Sequence, residues 1–213
     1  MGGDDALELA QRLSQGGAAR DAIGLGLRRS EYSGLTGESA RTVGRVVKEA
    51  ASRRGSELRL VPVSLYPHEA DARSFADATG RDGGEATTPA EAIRRAGGCR
   101  VVVAGSYHSA VFALAQGVPV VGLSAAPYYD AKLAGLADLF PGGCRVLSAQ
   151  DADFGAHLAA ALDESWEAAE RLAPELEAAA REQIAASRQA YARFSAPVAR
   201  RAGASAVLSR QPA

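Results

Sequence analysis

The stretch Arg100-Val101-Val102-Val103-Ala104-Gly105-Ser106-Tyr107-His108-Ser109 runs from a strongly apolar segment directly into a turn that opens a helix. Three consecutive valines with no polar alternation read as a strand covered on both faces, the kind that parallel sheets contain. Outward from it the same alternation repeats. On the carboxyl side come a helix at 109–116, a strand at 118–123, a helix at 130–140 and a strand at 144–147. Helices at 151–162 and 164–194 follow, with Pro174 expected to kink or restart the second. On the amino side, Asp4 or Asp5 caps a helix at 4–13 that Gly16-Gly17 ends. A strand at 22–27 then stops at Arg28-Arg29. A helix at 36–54 places Val43, Val46, Val47 and Ala50 on one face before Gly55. Next come a strand at 58–65, a helix to about 78, and a glycine-rich stretch at 79–88 with at most a strand stub near Glu85-Ala86. Pro89 sits in the first turn of a helix at 89–96, where a missing N–H costs nothing.

Strands that alternate with helices predict an α/β fold: a Rossmann-like doubly wound parallel sheet in the order 3-2-1-4-5-6. The expected organisation is a helical segment at 1–21, a ligand-binding domain at 22–163 and a carboxy-terminal helix or helices at 164–195. A flexible, basic tail at 196–213 shows no core pattern.

Composition narrows the function. The 213 residues are 47% hydrophobic and 23% charged, ordinary for one large globular domain. Lys+Arg 24 against Asp+Glu 25 excludes a polyanion-binding surface spread over the whole molecule, while leaving room for a local basic pocket. No apolar run reaches membrane-spanning length. The start Met1-Gly2-Gly3-Asp4-Asp5 is acidic where a signal peptide is basic, so a cytoplasmic protein is expected. Cys99 and Cys144 stand in neither a CxxC pair nor a zinc pattern, and no metal site is expected. Both open strands, two places apart in the sheet. That is about 9–10 Å, too far for a disulfide, and both read as inert core residues. Gly24-Leu25-Gly26 lies inside a strand and is not a dinucleotide fingerprint.

In doubly wound sheets ligands bind beyond the carboxyl ends of the strands, at the switch point. The loops that count are therefore 28–34, 64–69, 105–109 and 124–132. Gly105-Ser106-Tyr107-His108-Ser109 opens a helix, whose free N–H groups suit an anion, and His108 can donate to a phosphate or act as a general acid. Arg28 and Arg29 end the first strand on opposite faces, so one of them, Arg28 by preference, can reach the same anion. His68 and Glu69 follow the second strand as cleft-lining candidates. After the fifth, Lys132 favours an anion, and Tyr128 and Tyr129 offer a wall for a ring or an exposed patch for a domain contact.

Residues 101–140, VVVAGSYHSAVFALAQGVPVVGLSAAPYYDAKLAGLADLF, resemble the polysaccharide pyruvyl transferase family in a strand, a short motif ending in His, a small-residue helix, a Gly-Val-Pro strand and a downstream Lys. Weaker similarity extends to the strand ending at Arg28, to 60–69 and to 3–10. The resemblance implies a GT-B architecture, of which this chain is similar to the carboxy-terminal half. It implies phosphoenolpyruvate as donor substrate, no cofactor, and transfer of a pyruvyl group to a saccharide in bacterial exopolysaccharide biosynthesis. His108 becomes the catalytic histidine; Arg28, Ser106, Tyr107 and Lys132 become substrate-binding. Arg29, His68, Glu69, Tyr128 and Tyr129 line the cleft. Ser106 departs from the pattern, since the family often carries Arg there. The implied partner is an amino-terminal Rossmann-like half, and the chain alone is expected to be inactive. Neither a nucleic-acid partner nor a membrane span is expected. The Ala- and Arg-rich, Lys-poor composition suggests a bacterium with a GC-rich genome.

Two other classes compete. A nucleotide-sugar glycosyltransferase half would use an acidic residue such as Asp130 on a ribose. A non-catalytic module would keep the fold to bind a small ligand or a partner.

Overall fold

Among the described residues, five strands pair in parallel in a single sheet: β1 (Ala22–Gly26), β2 (Leu58–Leu60), β3 (Cys99–Ala104), β4 (Val120–Ser124) and β5 (Cys144–Ser148). Their spatial order is β2-β1-β3-β4-β5. The helices are α1 (Ala6–Arg12), α2 (Gly37–Arg54), α3 (Asp71–Thr79), α4 (Pro89–Gly97), α5 (Tyr107–Leu114), α6 (Pro127–Leu139) and α7 (Phe154–Leu208). The computed structural model describes residues 4–14, 20–28, 33–64, 71–81 and 88–208, with side chains to Ser195. The stub near Glu85-Ala86 lies outside these residues. With it set aside, the observed order is the expected one, and the chain reverses direction across the sheet between β1 and β3.

The centre of the sheet is covered on both faces. Along β3, Val102 and Ala104 join one apolar layer while Val101 and Val103 join the other, following the two-residue alternation of a strand. The first layer is built with α1, α4 and α5, the second with α2 and α3. Local chemistry sets several boundaries. Thr36 and Ser39 form a reciprocal capping box at the start of α2, and Thr88 caps α4 with Pro89 in its first turn. Strand β2 is shorter than the sequence pattern suggests. Val61 N–H still donates to the Leu25 carbonyl (2.8 Å), but Pro62 has no N–H and the ladder ends.

The carboxyl-terminal helices at 151–162 and 164–194 are in fact one helix, which continues to Leu208 into the segment expected as a tail. Phe154, Leu158, Ala161 and Leu162 pack into the α2–α3 layer; Leu172, Leu176, Ala180 and Ile184 pack into the opposite one. Helix α7 therefore passes from one face of the sheet to the other. It crosses the amino ends of the strands, where Arg100 at the start of β3 donates from Nε to the Trp166 carbonyl (3.0 Å). Pro174 does not divide it because both Pro174 and Glu170, whose carbonyl loses a donor, lie on the exposed side. Water can satisfy that carbonyl.

Helices α2 and α3 meet backbone to backbone at Gly44, where a Cβ would lie 1.7 Å from the Ala78 carbonyl oxygen. Gly44→Ala should therefore force the two helices apart and cost about 1–3 kcal/mol, the scale of overpacking, despite the higher helix propensity of alanine. Urea denaturation checks this, and an unchanged midpoint would refute the close approach.

Candidate functional site

The carboxyl ends of β1 and β3 are tied together by one backbone oxygen. The Gly26 carbonyl accepts N–H groups from Gly105 (2.7 Å) and Ser106 (3.1 Å). Position 26 must be glycine for this contact, since a Cβ would fall 2.3 Å from Ser109 Oγ. The turn that opens α5 is thus held directly on the end of β1. Ser106 occupies the N-cap position but its side chain makes no cap, while the Ser109 hydroxyl donates to the Ser106 carbonyl (2.7 Å). Among the described residues the N–H groups of Tyr107, His108 and Ser109 have no hydrogen-bond acceptor. Three donors at the positive end of a helix dipole suit an anion. Ser106 is 1% exposed, so the arginine that the family often carries there could enter only by displacing neighbours.

Arg28 lies just beyond β1. Its Nε donates to Asp71 Oδ1 at 3.3 Å. Asp71 opens α3, is 0% exposed, and was not among the sequence candidates. Its Oδ2 accepts the N–H groups of Val63 (2.6 Å) and Ser64 (3.0 Å), the two that β2 cannot use after Pro62. Burial pushes the Asp71 carboxyl above its ordinary range, and these donors and the guanidinium pull it back. The signal for it was present: an acidic residue in the first turn of a helix that follows a strand interrupted by proline. Beside it the Ser64 hydroxyl, in a residue 5% exposed, has no partner among the described residues.

His108 presents an exposed ring, edge-on to Tyr107 at 5.6 Å between centroids. Partial desolvation lowers its pKa; the Asp4 carboxylate opposes this, and the Arg28 and Lys132 charges add to it. Lys132 Nζ lies between two aromatic faces, 4.7 Å from the Tyr107 centroid and 4.8 Å from that of Tyr128. Such contacts hold an ammonium in place without neutralising it. Tyr128 and Tyr129 part company. Tyr128 is 56% exposed, whereas Tyr129 is 7% exposed with its hydroxyl pKa raised by burial. The expected exposed patch therefore reduces to Tyr128, because the α6 turn directs its neighbour into the protein.

The structure thus gathers Arg28, His108, Tyr107, Lys132 and Tyr128 at one end of the sheet, with Ser106 beneath. Arg29, His68 and Glu69 lie outside the described residues. Asp130 is exposed one residue beyond Tyr129. Cys99 and Cys144 open strands at the other end, where burial pushes both thiols up to about 12. No helix among the described residues is long and apolar enough to cross a membrane.

Comparison with known proteins adds three findings. No curated protein matches the chain. A solved structure described as "Crystal Structure Analysis of the Glycotransferase of kitacinnamycin" superimposes with a TM-score of 0.51 at 18% identity, over 78% of this chain and 40% of its own. At that identity the likeness is one of fold, and the chain spans about two fifths of that structure's length. Residues 45–127 match the profile of the family described as polysaccharide pyruvyl transferase. The matched segment holds His108 and Gly117-Val118-Pro119, while Arg28 and Lys132 fall on either side of it. The parallel Rossmann-like sheet and this matched segment agree with the motif at 101–140: the chain resembles the polysaccharide pyruvyl transferase family.

Proposed function

We propose that this chain is the donor-binding half of a pyruvyl transferase, taking phosphoenolpyruvate and working opposite a second Rossmann-like half in a GT-B arrangement. The observation that carries the reading is the Gly26 carbonyl's hold on the opening turn of α5 at the end of β1, two residues before Arg28, with the Arg28 and Lys132 charges both acting on His108. The free N–H groups of α5 and the guanidinium would receive the phosphate or the carboxylate, and Lys132 the other anion.

In ketal formation two sugar hydroxyls add to C2 of the enol, C3 gains one of their protons to become a methyl, and the C2–O bond to phosphate breaks. The second hydroxyl proton leaves with inorganic phosphate. His108, with its lowered pKa, is a stronger acid once protonated and would serve the departing phosphate. The acceptor is a saccharide, with the exposed Tyr128 ring as one wall. Because the chain spans only about two fifths of the solved glycotransferase, turnover belongs to the completed cleft. The chain alone should transfer no pyruvate to any saccharide, and measurable transfer would contradict this. A bacterial, cytoplasmic enzyme of exopolysaccharide synthesis accords with the composition and the resemblance.

The likeness to a glycotransferase and the exposed Asp130 favour one other reading, a nucleotide-sugar donor. Thermal shift separates the two: stabilisation by phosphoenolpyruvate supports the first, by a nucleoside diphosphate the second. Stabilisation by neither leaves a non-catalytic module.

For the donor site, Arg28→Ala and His108→Ala should each weaken phosphoenolpyruvate binding by about 1.5–3 kcal/mol, the scale of hydrogen bonds to charged groups. Calorimetry checks this, and absence of binding by the parent would end the reading.

The pH dependence has a definite sign. The fold favours neutral imidazole, so His108 protonation removes stability as pH falls from 6.5 through the lowered value. A bound anion favours imidazolium, so affinity should rise as pH falls toward the lowered value of the free protein, and His108→Gln should remove that part of the rise. By NMR the His108 titration midpoint should lie below 6.5 and move up in Lys132→Gln, which removes one repelling charge. A midpoint unaffected by Lys132→Gln would separate the two residues.

A further inference from the structure

We propose that Asp71 is the positioning residue of the anion site: it fixes the Arg28 guanidinium by its Nε edge so that the terminal nitrogens face the opening turn of α5. This rests on the reading above that Arg28 receives an anion.

Three donors converge on one fully buried carboxylate. Val63 and Ser64 N–H groups occupy Oδ2, and Arg28 Nε–H reaches Oδ1. The Asp71 N–H closes the ring by donating to the Ser64 carbonyl (3.2 Å). The carboxylate is therefore part of the backbone framework joining the end of β2 to α3, not a mobile counter-ion. Arg28 is bound to that framework through one nitrogen. Among the described residues nothing accepts a hydrogen bond from its terminal nitrogens. An Arg–carboxylate pair whose purpose was the pair itself would favour a two-bond geometry, which occupies at least one terminal nitrogen. Here a single contact through Nε leaves both terminal nitrogens free of Asp71. Its side chain is 18% exposed, which restricts the rotamers available to it. A guanidinium already fixed loses less freedom when an anion arrives.

Chemistry specifies why the group must be a carboxylate. A carboxylate accepts on both oxygens. In Asn, either the amide nitrogen faces the Val63 and Ser64 donors or it faces Arg28 Nε–H. One set of donors must be lost, and the neighbouring backbone will keep the oxygen.

The test is a double-mutant cycle of Asp71→Asn and Arg28→Ala, titrated by calorimetry with inorganic phosphate and, separately, with phosphoenolpyruvate. Asp71→Asn should weaken phosphate binding about tenfold in the parent and not further in Arg28→Ala. Equal weakening in both backgrounds would reduce Asp71 to a structural role and overturn the proposal. A second measurement needs no folded Asp71 variant. The Arg28 Nε–H signal of the parent, assigned by its loss in Arg28→Lys, should be protected from solvent exchange, and an unprotected signal overturns the proposal. Phosphate binding that depends on Asp71, without phosphoenolpyruvate binding, would sustain this inference and remove the donor reading. Phosphoenolpyruvate binding untouched by Asp71→Asn would do the reverse. Binding of neither anion would end both.

Discussion

Two hydrogen bonds to the Gly26 carbonyl hold the functional end of this protein together. They come from Gly105 and Ser106, at the junction between the most buried strand and the helix it feeds. Parallel pairing of β1 with β3 brings these segments side by side, and the missing Cβ at position 26 lets Ser109 approach. Everything at the site is then placed by reference to this contact. The N–H groups of α5 open at the end of β1, two residues before Arg28. A sheet with the same strands in another order would separate them.

The second constraint is the exhaustion of β2. Pro62 ends the ladder and leaves the Val63 and Ser64 N–H groups without strand partners in a buried region. Unpaired buried donors are costly, and a carboxylate that accepts both solves the problem locally. That carboxylate is Asp71, whose remaining oxygen is left for Arg28. A backbone requirement of the fold thereby becomes an electrostatic feature of the site. The opposite end of the sheet is treated differently. There α7 covers the amino ends of the strands, and the two cysteines lie with it in an apolar setting that keeps them protonated.

The amino-acid sequence by itself determined the elements and the layers. The valines of β3, the proline at 89 and the glycine at 55 are short-range signals, since each acts on atoms within a few residues. They disclosed the α/β class, and the switch-point rule then selected Arg28, His108 and Lys132, among others, as residues of one end. What only the tertiary structure decided involves atoms far apart in the chain. Asp71 is recruited by backbone donors of a strand end and an arginine 43 positions away, a coincidence no local pattern encodes. Tyr128 and Tyr129 are equivalent in sequence and become opposite in burial, because the rotation of one helix against the sheet settles which ring turns inward. The continuity of α7 past Pro174 is of the same kind. Local propensity places a break there, and the apolar stripe Leu172, Leu176, Ala180 and Ile184, which runs past the proline on one face of the sheet, outweighs it.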